Sequence, residues 1–196
     1  MGSKNQNVAD FYPLSPMQQG ILFHTLYAPS SGVYCEQLSC ILQGKFDIAL
    51  FQRTWTEAIA RHPILRTAFV WEGLKEPVQI VYQQIKLPWE QHDWRELTEV
   101  EQQIQLEEFL ARDRLQGFEL SKPPLMRLIL IQLTQDTYQF IWSHHHLLLV
   151  GWSTSLLLQE IFTIYQGENL LPRPRPYRYY IAWLHQQNRA QAELFW

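Results

Sequence analysis

Apolar residues recur along this chain with two periods, and the changes of period mark its elements. Met17, Ile21 and Leu22 form one face of a predicted helix that Ser15-Pro16-Met17-Gln18 is suited to start. Ser15 can cap it, Pro16 fits the first helical position, and Gln18 completes a capping box. That stripe reads as core rather than as a binding surface. Val33 to Leu42 then alternates, with Leu38, Cys40 and Leu42 on one face of a strand. Asp47 can cap a second helix, in which Phe51, Trp55 and Ile59 fall at i, i+4 and i+8 before Pro63 ends it. Leu65 to Trp71 and Val78 to Tyr82 read as strands. Thr98 with Glu101 forms another capping box and opens a helix to about Arg114. Met126 to Leu133 and Tyr138 to Ser143 predict a hairpin around Gln135-Asp136. A further helix of Leu156, Leu157, Ile161 and Ile164 has Ser153 as its expected cap and Gly167 as its end. Leu170 to Pro176 is a Pro/Arg-rich extended connector. A last amphipathic helix runs from about Tyr179 to Phe195-Trp196, which suggests a truncated polypeptide. No internal repeat is present. Strands and helices mixed at this spacing predict an α/β sandwich.

Composition narrows the class. The chain has 196 residues, 46% of them hydrophobic and 18% charged, which suits one domain with a sizeable core. A net charge of −3 gives no general pull toward nucleic acid or an anionic membrane. No apolar run reaches the roughly 18 residues of a membrane helix, no signal peptide opens the chain, and residues 1–10 read as a tag or interdomain linker. Cys35 and Cys40 share one predicted strand at an odd offset, so they face opposite sides about 16 Å apart and do not bridge. Reduced thiols fit a cytoplasmic protein. The eight tryptophans and nine tyrosines fit a rich core or a large partner surface.

The chemistry gathers in Ser143-His144-His145-His146-Leu147-Leu148-Leu149-Val150-Gly151-Trp152-Ser153. A strand runs into adjacent histidines, and Gly-Trp-Ser then opens a helix. On a strand only His144 and His146 share a face, and no neighbouring Cys, His or carboxylate completes a metal set, so no metal is expected. Gly151 to Ser155 approaches a GxSxG elbow but ends in serine. Arg173, Arg175 and Arg178 form a small basic cluster, either a solvated linker or a contact for an acidic carrier domain.

Three stretches carry a family resemblance. Tyr12-Pro13-Leu14-Ser15-Pro16-Met17-Gln18-Gln19-Gly20, Arg61-His62-Pro63-Ile64-Leu65-Arg66-Thr67-Ala68-Phe69 and Ser143 to Ser153 resemble, in order, the first core motif, the RHxxLRTxF motif and the HHxxxDG motif of nonribosomal peptide synthetase condensation domains. His92-Asp93-Trp94-Arg95 and Pro123-Pro124-Leu125-Met126-Arg127 extend the likeness. The detail is similar to the subtype joining a D-configured donor to an L-configured acceptor. The resemblance implies a fold similar to chloramphenicol acetyltransferase, with residues 11–196 forming the N-terminal lobe of a two-lobed domain whose C-terminal lobe is absent.

It also implies a reaction and roles within it. The acceptor's amine attacks a donor thioester, both substrates arriving on the phosphopantetheine arms of peptidyl or aminoacyl carrier protein domains. No cofactor binds the lobe directly. His146 would be the base or orienting acceptor, the Gly151 amide would neighbour the oxyanion, and His145, Trp152 and Ser153 would support them. The motif aspartate, expected to pair with Arg61 or Arg66, is replaced by Val150. An arginine deprived of its carboxylate and an inactive isolated lobe are the resulting expectations. A non-catalytic docking lobe and a coenzyme A-dependent acyltransferase of the same superfamily are the alternatives.

Overall fold

The computed structural model describes residues 7–29, 31–168 and 172–187. Two sheets organise it. Strands β1 (Val8–Pro13), β3 (Thr67–Val70) and β4 (Val78–Tyr82) make a small antiparallel sheet in the order β1-β4-β3. Strands β2 (Cys35–Gln43), β5 (Trp89–Asp93), β6 (Met126–Gln132) and β7 (Thr137–His145) make a larger one in the order β2-β7-β6-β5, in which only the β5–β6 pair is parallel.

The larger sheet is covered on both faces. Leu128, Leu130, Phe140 and Trp142 point into a core shared with α1 (Pro16–Tyr27), α2 (Ile48–Arg61) and α4 (Gly151–Tyr165). Ile129, Ile131 and Ile141 point the other way, against Leu106, Phe109 and Leu110 of α3 (Glu99–Gln116). Burial of both faces explains why β6 and β7 read as nearly continuous apolar runs. Trp55, Phe51, Phe140 and Trp142 pack edge to face or tilted at the centre, an arrangement that favours aromatic pairs beyond their buried area.

The expected capping boxes form at Ser15–Gln18 and Thr98–Glu101, and Asp47 caps α2 through the Leu50 N–H. Five expectations need correction. Met17, read as core with Ile21 and Leu22, is 64% exposed, whereas the other two are buried. Val8 to Asp10, read as linker, belong to β1, an edge strand whose alternation is hidden by its few apolar residues. Asn7 fastens it by exchanging side-chain hydrogen bonds with the Gln84 backbone. Residues Pro63–Arg66 form a 3-10 turn, so the strand expected from Leu65 starts at Thr67. Strand β5 was not expected, because Trp-Glu-Gln-His-Asp carries no apolar alternation; its backbone pairs at the sheet edge. Ser153 lies inside α4, whose cap is Val150.

Both cysteines are free. The last described helix, α5, spans Tyr177–His185, and Arg178 pairs with Asp10 of β1 at 2.9 Å. The expectations for Leu170, Leu171 and Phe195-Trp196 lie outside the described residues. Among the described residues no helix is long and apolar enough to cross a membrane.

Candidate active site

Strand β7 carries His144 and His145 on opposite faces at the end of the larger sheet, and His146 follows just past its last residue, so each ring has different surroundings. The His145 N–H donates to Leu125 O at 3.0 Å and the His146 N–H to Tyr34 O at 2.8 Å, which pins the backbone between β6 and the start of β2. The His145 ring is buried. Its Nδ1 accepts the Leu147 N–H at 3.2 Å, so Nε2 carries the proton, 3.4 Å from Thr25 Oγ1. Burial, with the neighbouring His146, holds its pKa down at about 4. His145 is therefore a neutral structural bracket. His144 stacks on Trp142 with ring centroids 4.7 Å apart, and its buried Nδ1 has no partner among the described residues. Burial, then His146 and His145, depress it to about 4 as well.

His146 differs from both. Its side chain is 28% exposed, yet its Nδ1 is sealed from solvent, so the accessible edge is the one bearing Nε2. It stands where two cavities meet. The larger, about 1000 Å³, lies between α1, the 3-10 turn, α4 and α5 and is lined by Met17, Ile21, Leu147 and Leu157. The smaller, about 280 Å³, is lined by Glu36, Leu38, His144, Gly151 and Thr154. The expected common face of His144 and His146 thus becomes one wall of the smaller cavity.

Gly151 begins α4. Thr154 makes the first helical hydrogen bond, to Val150 O at 3.1 Å. The N–H groups of Gly151, Trp152 and Ser153 therefore precede the ladder, and Val150 offers them no side-chain cap. A Cβ added at Gly151 would meet no atom within 4 Å, so this end faces open space. Trp152 is 86% exposed and Ser153 lines the larger cavity. Val150 already has the extended cap backbone, with φ −105° and ψ 164°. Val150→Asp and Val150→Asn should therefore each raise unfolding stability by about 1 kcal/mol in urea melts. A larger gain for Asp would report its charge against the helix dipole. Unchanged midpoints for both would remove the capping account.

The expected orphan arginine is not found. Arg61 Nε donates to Glu160 Oε1 at 2.5 Å, and His62 Nε2 lies 2.9 Å from Glu160 Oε2. Burial tends to raise the Glu160 pKa, but the hydrogen bonds from Arg61 and His62 outweigh it and hold the carboxyl below its ordinary value. Arg66 is claimed by backbone carbonyls of Ile59, Ala60, Tyr82 and Gln83. Glu160, further along α4 from Val150, is the carboxylate that sequence reasoning overlooked.

Two buried polar networks were also missed. Gln18 and Gln79 pair their side-chain amides, and Gln18 Nε2 donates to Leu147 O at 3.1 Å, so α1 and β4 hold the histidine loop. Behind β7, the Asp113 carboxylate accepts from Arg127 at 2.6 Å, Ser143 at 2.5 Å and Gln37 at 2.7 Å. Arg127 also lies over the Phe118 ring, whose edge meets His145. The capping box signalled Gln18; nothing local signalled Gln79 or Asp113.

Known proteins resemble this chain in sequence and in fold. A family model described as Condensation domain matches residues 8–196. One of the linear gramicidin synthase proteins of Brevibacillus parabrevis is 42% identical over an alignment covering 98% of this chain and 4% of that protein. Bacitracin synthase 3 of Bacillus licheniformis is 40% identical, covering 96% of this chain and 3% of its own length. This chain thus spans a small part of the curated relatives it matches. The solved starter condensation domain of the rhizomide synthetase RzmA superposes with a TM-score of 0.81 at 19% identity, over 96% of this chain and 49% of that one.

Proposed function

The chain belongs to the condensation-domain family, and from that premise we propose that it is the N-terminal lobe of a condensation domain that forms an amide bond between a carrier-bound donor thioester and an acceptor amine. The observation that carries the reading is His146: an imidazole with an open Nε2 edge, at the meeting of two cavities, beside the unsatisfied N-terminus of α4. The larger cavity has the volume and the apolar wall to take an extended thioester arm. The phosphopantetheine of a carrier domain would supply the reactive thioester.

His146 Nε2 takes a proton from the attacking amine as the new N–C bond forms, or orients its lone pair. The N–H groups at Gly151 face the charge that develops on the former carbonyl oxygen. The C–S bond then breaks, and the thiolate leaves with a proton. Holding both substrates across one imidazole removes much of the entropic barrier. Tyr-Pro-Leu-Ser-Pro-Met-Gln, and Ser-His-His-His with Gly-Trp-Ser, support a D-configured donor with an L-configured acceptor. Val150 favours a second reading, a docking or structural lobe in which α4 was left uncapped.

The test supplies a C-terminal lobe to this chain and to its Val150→Asp variant, with two carrier domains each loaded with an aminoacyl group. Dipeptidyl product from the aspartate variant alone would identify a disabled condensation domain, and product from both an active one. No product from either, with turnover of an acyl-coenzyme A, would overturn the proposal.

A further inference from the structure

The smaller cavity holds a carboxylate that the proposed reaction leaves idle. Strands β2 and β7 are registered so that Glu36 faces His144 across the sheet, which sets its side chain on the same side as His144 and His146. Glu36 Oε1 lies 3.3 Å from His146 Nδ1, although not aligned for a hydrogen bond. Nδ1 is sealed from solvent and has no hydrogen-bond partner among the described residues; Glu36, 3.3 Å away, is the carboxylate that a small rotation of its half-exposed side chain brings into line with a proton there. The backbone is held from both sides, by Tyr34 O on the His146 N–H and by Gln18 on Leu147 O, which leaves the ring little freedom beyond rotation about its own side-chain bonds.

We infer that Glu36 is a positioning residue for His146: it holds the proton on Nδ1 and so leaves Nε2 unprotonated on the accessible edge. This deepens the proposed function and rests on it, since an orienting acceptor at Nε2 matters only if an amine arrives there. A base oriented by a third group recurs wherever one ring nitrogen must be free at neutral pH. Glu36 touches no substrate in this scheme. Its side chain is half exposed, at 53%, on the edge strand of the sheet, so its replacement leaves the core packing intact.

The test needs no activity. Imidazole 15N correlation spectra of this chain at pH 7.5 would assign the neutral tautomer of His146, using His146→Gln to identify its signals. Wild type is expected to show Nδ1–H with a pyridine-like Nε2. Glu36→Ala, and separately Glu36→Lys, which presents a donor instead of an acceptor, are each expected to lose that pattern while the His145 signals stay in place. A wild-type ring protonated on Nε2, or the Nδ1–H form persisting in either folded variant, would overturn the inference. Because the readout is spectroscopic, its failure is distinct from failure of the condensation assay.

Discussion

Acidification from pH 7 to pH 5 should destabilise the protein well before its carboxylates titrate. His144 and His145 ionise at about 4 in the folded chain, against an ordinary histidine value of 6.5. Between those values the unfolded chain binds protons that the folded chain refuses. Their contribution to stability is therefore complete above about 6.5 and is lost as the pH falls toward 4. Each histidine protonated only in the unfolded chain adds a slope of about 1.4 kcal/mol per pH unit. Burial is the main cause for both rings; His146 adds to it for both, and His145 adds to it for His144. Urea unfolding midpoints should hold from pH 7.5 to about 6.5 and then fall continuously to pH 4.5. His144→Leu should flatten that fall, because it removes one titration and one unpartnered buried nitrogen. A midpoint constant from pH 7 to pH 5 would contradict the assignment of both rings as neutral brackets. Asp113 and Glu160, whose carboxyls are held low by their arginines, would add their own loss only below the ordinary carboxylate range.

The second large effect belongs to the neighbouring ring. His146→Ala, assayed with the C-terminal lobe supplied and both carriers loaded, should slow product formation by about 10²–10⁴ while leaving the unfolding midpoint near wild type. The two cavities would persist, so substrate juxtaposition would continue and some turnover would remain. His145→Ala should give the reverse pattern. It removes the acceptor of the Leu147 N–H inside the core, and stability should fall before the chemistry is reached. A His146→Ala protein that turns over like wild type would transfer the proton role to another group.

Most elements are legible because local rules and tertiary packing agree in them. Phe51, Trp55 and Ile59 predict a buried helix face and all three are buried. Leu38, Cys40 and Leu42 predict one strand face and pack together on the main core. Of the α4 residues, Leu157 and Ile161 are buried as the period requires, whereas Leu156 is 66% exposed. What stays hidden are pairings made by backbone or by distant side chains. β5 is recruited by the parallel edge of β6, and no apolar signal in its own five residues announces that. The histidines and Gly151 can be placed at the site from their motif. Glu36 beside His146, the Gln18–Gln79 pair that holds Leu147 O, and Glu160 on Arg61 and His62 come from other elements or from further along α4, and ordinary polar residues give no sign in sequence of the neighbour they will meet. Val150 is legible as a departure from the motif, but its consequence is not. In sequence its position looks like a broken ion pair, whereas the structure makes it an uncapped helix start.

The amide pair of Gln18 and Gln79 bears on how chains of this family are recombined. Gln18 lies 129 residues before the Leu147 carbonyl it holds and 61 before its amide partner. A chimera that inherits residues 143–151 from one parent and residue 18 or 79 from another would inherit a histidine loop without its fastening. The heritable unit of this candidate site is thus scattered over residues far apart in the chain, and a crossover placed by motif boundaries alone would divide it.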